Sequence, residues 1–255
     1  LLSGRLDHWL SPAPRGDRVG WIFQHDFAHR GLHSGTVPEN SMAAFAAAMA
    51  GGHGIELDVQ RSSDGQSVVF HDDALGRMTG AQGAVNRRSA VQLAELRLLG
   101  TDEAIPTLRQ VLAQVAGRVP ILIEIKSRRE GRVSGRCLAV RRVLEGYTGP
   151  HAVMSFDPRI ARWFYRHSPH TVRGLVMSED GNRTLAARAK RRLAMWSARP
   201  DFLACDVRDL PSRFVATQRA RGVPVATWTV RSADEASRAK QYADAPIFEV
   251  GAAQD

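Results

Sequence analysis

Eight short apolar, β-rich runs separated by stretches of helical periodicity constrain this chain more than any other feature. The runs fall at 27–29, 54–59, 119–125, 152–155, 172–177, 202–206, 224–230 and 247–250. Helical patterns lie between them, at 41–50, 158–167, 184–198, 212–221 and 232–241. Each sits near a Ser, Thr, Asn or Pro start signal, with Asn40 or Ser41 heading the first. Strand–helix alternation predicts a parallel sheet covered by helices. Eight such units in this length match an α/β fold of a single TIM-type (β/α)8 barrel. No Pro/Gly/Ser linker divides the chain. The barrel domain is therefore expected over 27–255, with an N-terminal extension over 1–26. Only five residues follow Val250, so the final helix is expected to be truncated. The extension carries Trp9, Trp21, Ile22 and Phe23 and is expected to pack on the barrel in that helix's place.

The composition, 44% hydrophobic and 24% charged, is that of a globular chain. No uncharged apolar run reaches the length of a spanning helix. Cys137 and Cys205 are the sole cysteines, which excludes a disulfide scaffold and a cysteine-based zinc site. The net charge is +9 and is carried largely by two Arg-rich clusters. One holds Lys126, Arg128, Arg129, Arg132, Arg136, Arg141 and Arg142 with the acid Glu130. The other holds Arg183, Arg188, Lys190, Arg191, Arg192 and Arg199 with no acid. Such clusters suit nucleic acid or an anionic membrane. Without a helix-turn-helix, RNP or zinc-finger pattern they read as solvated helix faces, and no nucleic-acid partner is expected. The start, Leu-Leu-Ser-Gly-Arg, has no signal-peptide pattern, so a cytoplasmic location is expected, while the lack of an initiator Met leaves export open.

Barrels of this kind carry their chemistry at the carboxyl ends of strands, and four such ends are polar here. The first is His29-Arg30-Gly31: an imidazole, a guanidinium suited to phosphate and a glycine that lets a ligand approach. The second is the run 54–59, where strand alternation puts Glu56 and Asp58 on one face, about 6–7 Å apart. Solvated edge acids fit poorly there, because central barrel strands are buried on both sides; a bound cation fits better. The third pairs Glu124 with Lys126, either as a buried ion pair or as a third carboxylate beside a phosphate partner. Carboxylates without cysteine indicate a hard cation, Mg2+ or Ca2+. The fourth is His71. A two-residue Asp64-Gly65 turn makes paired positions sum to 129 and sets His71 opposite Asp58. The histidines at 8, 25, 53, 151, 167 and 170 read as surface or hydrogen-bonded residues, and His33 lies near the first motif.

In order along the chain, His29-Arg30-Gly31, Pro38-Glu39-Asn40-Ser41 with Phe45, Ile55-Glu56-Leu57-Asp58-Val59 and Asp64-Gly65 resemble the glycerophosphodiester phosphodiesterase family. So do Val68-Val69-Phe70-His71-Asp72-Asp73, Ile105-Pro106-Thr107-Leu108 and Ile123-Glu124-Ile125-Lys126 and, more weakly, Ser155-Phe156, Val223-Pro224-Val225 and Thr227-Trp228-Thr229-Val230. The resemblance implies a TIM-type barrel that hydrolyses a small glycerophosphodiester to an alcohol and glycerol 3-phosphate. It implies Glu56, Asp58 and Glu124 as ligands of one divalent cation. It implies His29 and His71 as the acid–base pair, Arg30 and Lys126 on the phosphate, and Glu39 and Trp228 as positioning residues. It leaves open which histidine is the base. The chain departs from the family at 247–251, where Ile247-Phe248-Glu249-Val250-Gly251 replaces a Thr-Asp or similar pair, and the short 73–105 stretch leaves little room for an inserted subdomain. The rival readings are a related phosphodiesterase acting on lysophospholipids and a non-catalytic binder of anions or nucleic acid.

Overall fold

Runs that read as buried on both faces do form the buried strands. The computed structural model describes residues 2–127, 131–182 and 184–249. The strands are β1 (Phe27–Ala28), β2 (Gly54–Arg61), β3 (Ser67–Val69), β4 (Ile121–Ile125), β5 (His151–Ser155), β6 (Val172–Met177), β7 (Phe202–Asp206), β8 (Val225–Val230) and β9 (Ala245–Phe248). The longer helices are α1 (Leu2–Leu10), α2 (Met42–Ala50), α3 (Leu108–Val115), α4 (Ser134–Leu144), α5 (Pro158–His167), α6 (Leu185–Ala198), α7 (Arg213–Ala220) and α8 (Ala233–Tyr242). Eight strands are parallel to their neighbours and β3 alone is antiparallel. Helices α2 to α8 alternate with the parallel strands. This is a TIM-type (β/α)8 barrel, as the alternation predicts.

The chain forms two compact units. One holds residues 27–151 and Glu249. In it β2 pairs in parallel with β1 and β4, and β3 folds back on β2. From Gly54 to Gln60 every residue of β2 is buried, and so is all of β4. The other unit holds 152–248 and the N-terminal residues, with β5 to β9 pairing in sequence order. Leu175, Leu203 and Val225 of its strands pack with Met195 and Ala198 of α6 and Val215 of α7. The N-terminal segment is bound to this unit by polar anchors. Asp7 is wholly buried, accepts from Trp196 Nε1 at 2.7 Å and pairs with Arg192 at 3.3 Å. Arg18 reaches Asp201 and the carbonyls of Pro169 and Thr171.

Several boundaries differ from the sequence reading. β4 starts at Ile121, because Pro120 has no N–H for the ladder, although its carbonyl accepts from Ile55. β9 ends at Phe248, the partner of the last residue of β8, and Val250 lies outside the described residues. Arg128, Arg129, Glu130 and Arg183 of the basic clusters also lie outside them. The hairpin corrects the expected register by one. Ser62 N donates to Gln66 O and Gly65 N to Ser62 O, so the loop is three residues, 63–65, closed by Gly65 at φ +87°. A three-residue loop ending in a left-handed glycine is the next commonest hairpin after the two-residue type. Val59 then faces Val69 and Gln60 faces Val68, and Phe70 rather than His71 donates to the Asp58 carbonyl.

On β6, Gly174 lies opposite Phe202 of β7, a fully buried ring. A Cβ at 174 would overlap that ring. Gly174→Ala is therefore expected to destabilise the protein by about 1–3 kcal/mol through overpacking, seen as a lower urea midpoint at unchanged slope. An unchanged midpoint would show that the ring can move aside.

Candidate active site

Three carboxylates converge in the first unit because two parallel strands place them there. Alternation along β2 sends Glu56 and Asp58 to one face, and the β2–β4 register sets Glu124 beside Asp58. All three are buried, and one oxygen of each lies within 4.8 Å of the others. Their charges are unequally matched. Asp58 Oδ1 takes Lys126 Nζ at 2.8 Å, and its Oδ2 faces Arg30 Nε at 3.3 Å. Burial alone would raise Asp58, but Lys126, Arg30 and His71 together hold it well below the usual carboxylate range. Lys126 also reaches Glu124 at 2.7 Å, yet burial and Asp58 leave Glu124 raised. Burial, then repulsion from Asp58 and Glu124, push Glu56 well above its ordinary value. Its oxygen receives the Arg30 backbone N–H at 3.1 Å. Besides burial, repulsion among the acids raises Glu56 and Glu124, which shows that two cations do not fully offset three converging carboxylates; three hard oxygen donors so placed are compatible with a divalent metal.

Asn40 fixes Asp58 from the loop before α2. Its amide donates to Oδ2 at 2.9 Å, and its Oδ1 accepts from Asp58 N at 3.2 Å. Asn40 can do this because Ser41, not Asn40, caps α2, accepting from Ala44 N. Arg30 stands at φ +56°, a left-handed conformation costing a non-glycine residue about 1–3 kcal/mol. That strain directs the guanidinium to Glu39 at 3.0 Å as well as to Asp58. Arg77, from the short helix Gly76–Thr79, joins Glu39 at 2.6 Å to Asp72 at 2.5 Å. Against burial, Arg77 and Arg30 hold Glu39 below its ordinary range, and Arg77 is the main cause lowering Asp72 to about 2.

Both candidate histidines are held at Nδ1 by a carboxylate. His29 Nδ1 lies 2.5 Å from Glu249 Oε1, and its Nε2 is 3.9 Å from Glu56. Burial lowers the His29 pKa more than the Glu249 bond lifts it. His71 Nδ1 lies 2.6 Å from Asp72 Oδ1. The one-residue register correction does not remove His71 from the carboxylates, because the chain leaves the ladder after Phe70, whose N–H still bonds the Asp58 carbonyl. The Gln60 amide donates to the carbonyls of Phe70, His71 and Asp72 and turns the segment, so that His71 acts electrostatically on Asp58, Glu124 and Glu39.

The structure thus brings together Glu56, Asp58, Glu124, Lys126, Arg30, Glu39 and both histidines, while His33 Nε2 stands 4.0 Å from Glu249. Trp228 belongs to the other unit, where its Nε1 donates to Ala204 O and its ring meets Phe156 edge-on. Sequence reading missed the parts played by Asn40, Asp72, Arg77 and Glu249. Asn40 and Asp72 lie inside quoted motifs, and Glu249 marks the departure in the last strand, but nothing in the sequence signals Arg77.

The model of the glycerophosphoryl diester phosphodiesterase family matches residues 29–248. A probable glycerophosphodiester phosphodiesterase 2 of Mycobacterium tuberculosis is 41% identical over 123 residues, 47% of this chain and 46% of that protein. A glycerophosphodiester phosphodiesterase of Caldanaerobacter subterraneus is 41% identical over 110 residues, 39% of this chain and 44% of that one. The chain thus spans less than half the length of these relatives. In fold it resembles a phosphodiesterase of Oleispira antarctica in complex with the product sn-glycerol-3-phosphate, at TM-score 0.77 and 24% identity over 88% of this chain and 92% of that one.

Removing Lys126 isolates the charge imbalance. Lys126→Met leaves Asp58 and Glu124 buried without their shared cation, a loss of about 3 kcal/mol for a broken buried pair. In chelator its melting temperature should fall, and excess Mg2+ or Ca2+ should raise it more than it raises that of the wild type. Equal response of both proteins would show that Lys126 and a cation do not share these carboxylates.

Proposed function

The chain belongs to the glycerophosphoryl diester phosphodiesterase family, and from that premise we propose that it hydrolyses small glycerophosphodiesters to an alcohol and glycerol 3-phosphate. The observation that carries this reading is the buried Glu56–Asp58–Glu124 cluster with Arg30 and Lys126 against it. The likeness to a phosphodiesterase in complex with sn-glycerol-3-phosphate supports the substrate class. The three carboxylates would hold one divalent cation, Mg2+ or Ca2+ by their all-oxygen donor set, which when bound supplies Lewis acidity toward a phosphate oxygen. Arg30 and Lys126 bind the phosphate as fixed positive charges. Glu39, Asp72 and Arg77 hold Arg30 and His71 in place.

The two histidines divide the proton work. With Nδ1–H given to Glu249 and burial favouring the neutral ring, His29 offers Nε2 as an acceptor and is the base for the nucleophile, either water directly or the substrate's neighbouring hydroxyl, whose cyclic phosphate water then opens. His71, oriented by Asp72 at Nδ1, is the acid that protonates the departing alkoxide. The N-terminal segment is an extension of the barrel domain rather than a domain of its own, in keeping with the anchors at Asp7 and Arg18.

Two measurements test this reading. Exhaustive chelation should abolish choline release from glycerophosphocholine, and Mg2+ or Ca2+ should restore it; full turnover in chelator would sink the metal role. His29→Ala and His71→Ala should each lose about 10²–10⁴ in rate, with losses that do not add because the pair serves one transition state. A nitrophenyl phosphodiester needs no protonation on departure, so it should rescue His71→Ala and not His29→Ala. The reverse pattern would exchange the roles, and near-normal rates in both variants would refute acid–base catalysis by this pair.

A further inference from the structure

The N-terminal half of α6 stands out from the second unit with an apolar stripe turned to solvent. At 100° per residue, Leu185, Ala189 and Leu193 fall in line and Ala186 lies beside them, within about 100° of arc. All four are exposed, Leu185 at 80% and Leu193 at 60%. The opposite side of the helix carries Met195 and Ala198, which are buried in the core. The outward stripe is therefore no failed core face. It is a second apolar face on a helix whose packing is already satisfied.

Basic side chains flank the stripe. Arg188 and Arg192 lie along one margin and Lys190 along the other, by the same helical spacing. Arg188 and Lys190 are exposed and make no ion pair among the described residues, whereas Arg192 meets Asp7. No acid occurs from 181 to 200. The acids just before the helix are engaged, Glu179 by Ser212 and Asp180 by Ser178. Beside the helix a cleft of about 870 Å³ has Arg188, Arg191 and Arg192 on its α6 wall, faces Arg213 and Arg219 of α7, and has Glu179 as the one acid among its lining residues.

A second element extends the face. Asp7 binds α1 to α6 through Trp196 and Arg192. With Asp7 inward and fully buried, α1 exposes Leu6 at 46% and Trp9 at 78%, three residues apart on one side. An exposed apolar stripe bordered by Lys and Arg, with a tryptophan alongside, is the pattern of a helix lying in a lipid interface. A second copy of the chain would bring like charges together. A bilayer with anionic headgroups offers apolar depth to the leucines and the opposite charge to their flanks.

We propose that the outer face of α6, with Leu6 and Trp9 of α1, is a peripheral docking surface for an anionic lipid bilayer. This goes beyond the hydrolytic reading and stands independently of it. The experiment is co-sedimentation of the whole chain with phosphatidylcholine vesicles and with phosphatidylcholine–phosphatidylglycerol vesicles, at low and high salt. Binding should be at least about tenfold stronger on the anionic vesicles, and salt should weaken it. Arg188→Ala and Lys190→Ala should each weaken it about fivefold. The double variant Leu185→Gln, Leu193→Gln should weaken it about tenfold or more, while circular dichroism and glycerophosphocholine turnover stay at the wild-type level. Equal binding to neutral and anionic vesicles overturns the proposal. Undiminished binding of the glutamine variant also overturns it, because adsorption is then electrostatic alone. Absent vesicle binding, with light scattering that shows a dimer lost in that variant, assigns the face to a contact between copies and overturns it too.

Discussion

Asp58 is the residue on which the candidate site depends. It is buried between two carboxylates, and remains ionised because Lys126 and Arg30 approach its two oxygens separately. Each of those cations is placed by other means. Lys126 follows β4, whose register against β2 is fixed by a run of β-branched residues buried on both faces. Arg30 is held in a left-handed turn, with its carbonyl accepting from Asn40 N. Asn40 then returns to Asp58 with two hydrogen bonds. The cations, the turn and the amide form a closed set of constraints around one carboxylate, so a change in any of them alters the charge at Glu56 and Glu124.

The same economy of contacts extends outward through arginines. Arg30, Glu39, Arg77, Asp72 and His71 alternate in sign along a continuous path from the carboxylates to a histidine. Alternation lets polar groups stay partly buried without strong net charge. Arg77, the most exposed member, closes the path. A planar guanidinium suits that place because it presents donors to two carboxylates at once, as a lysine point charge does not.

How much of this was legible in the sequence follows from the range of each interaction. Alternation put Glu56 and Asp58 on one face, since a strand's period is a local property. Strand–helix alternation gave the barrel for the same reason. The hairpin failed by one residue because a dipeptide does not distinguish a two-residue loop from a three-residue loop with the same glycine in left-handed geometry. His71 stayed near Asp58 nonetheless, since the departure of the chain from the ladder is governed by the Gln60 side chain. The cap on α2 shows the same limit. Asn40 and Ser41 are equally good caps by type, and the choice between them was made by Asp58, 18 residues away.

Glu249 is the extreme case, because its partner is 220 residues distant. In the sequence it reads only as an acid where the resembling family has a different pair. In the structure it fixes which ring nitrogen of His29 carries hydrogen, provided the carboxylate is ionised. An acceptor at that position needs no particular side-chain length so long as one oxygen reaches Nδ1. Glu249, one residue past the end of β9, supplies that oxygen. The departure in sequence therefore still places a carboxylate oxygen beside His29 Nδ1.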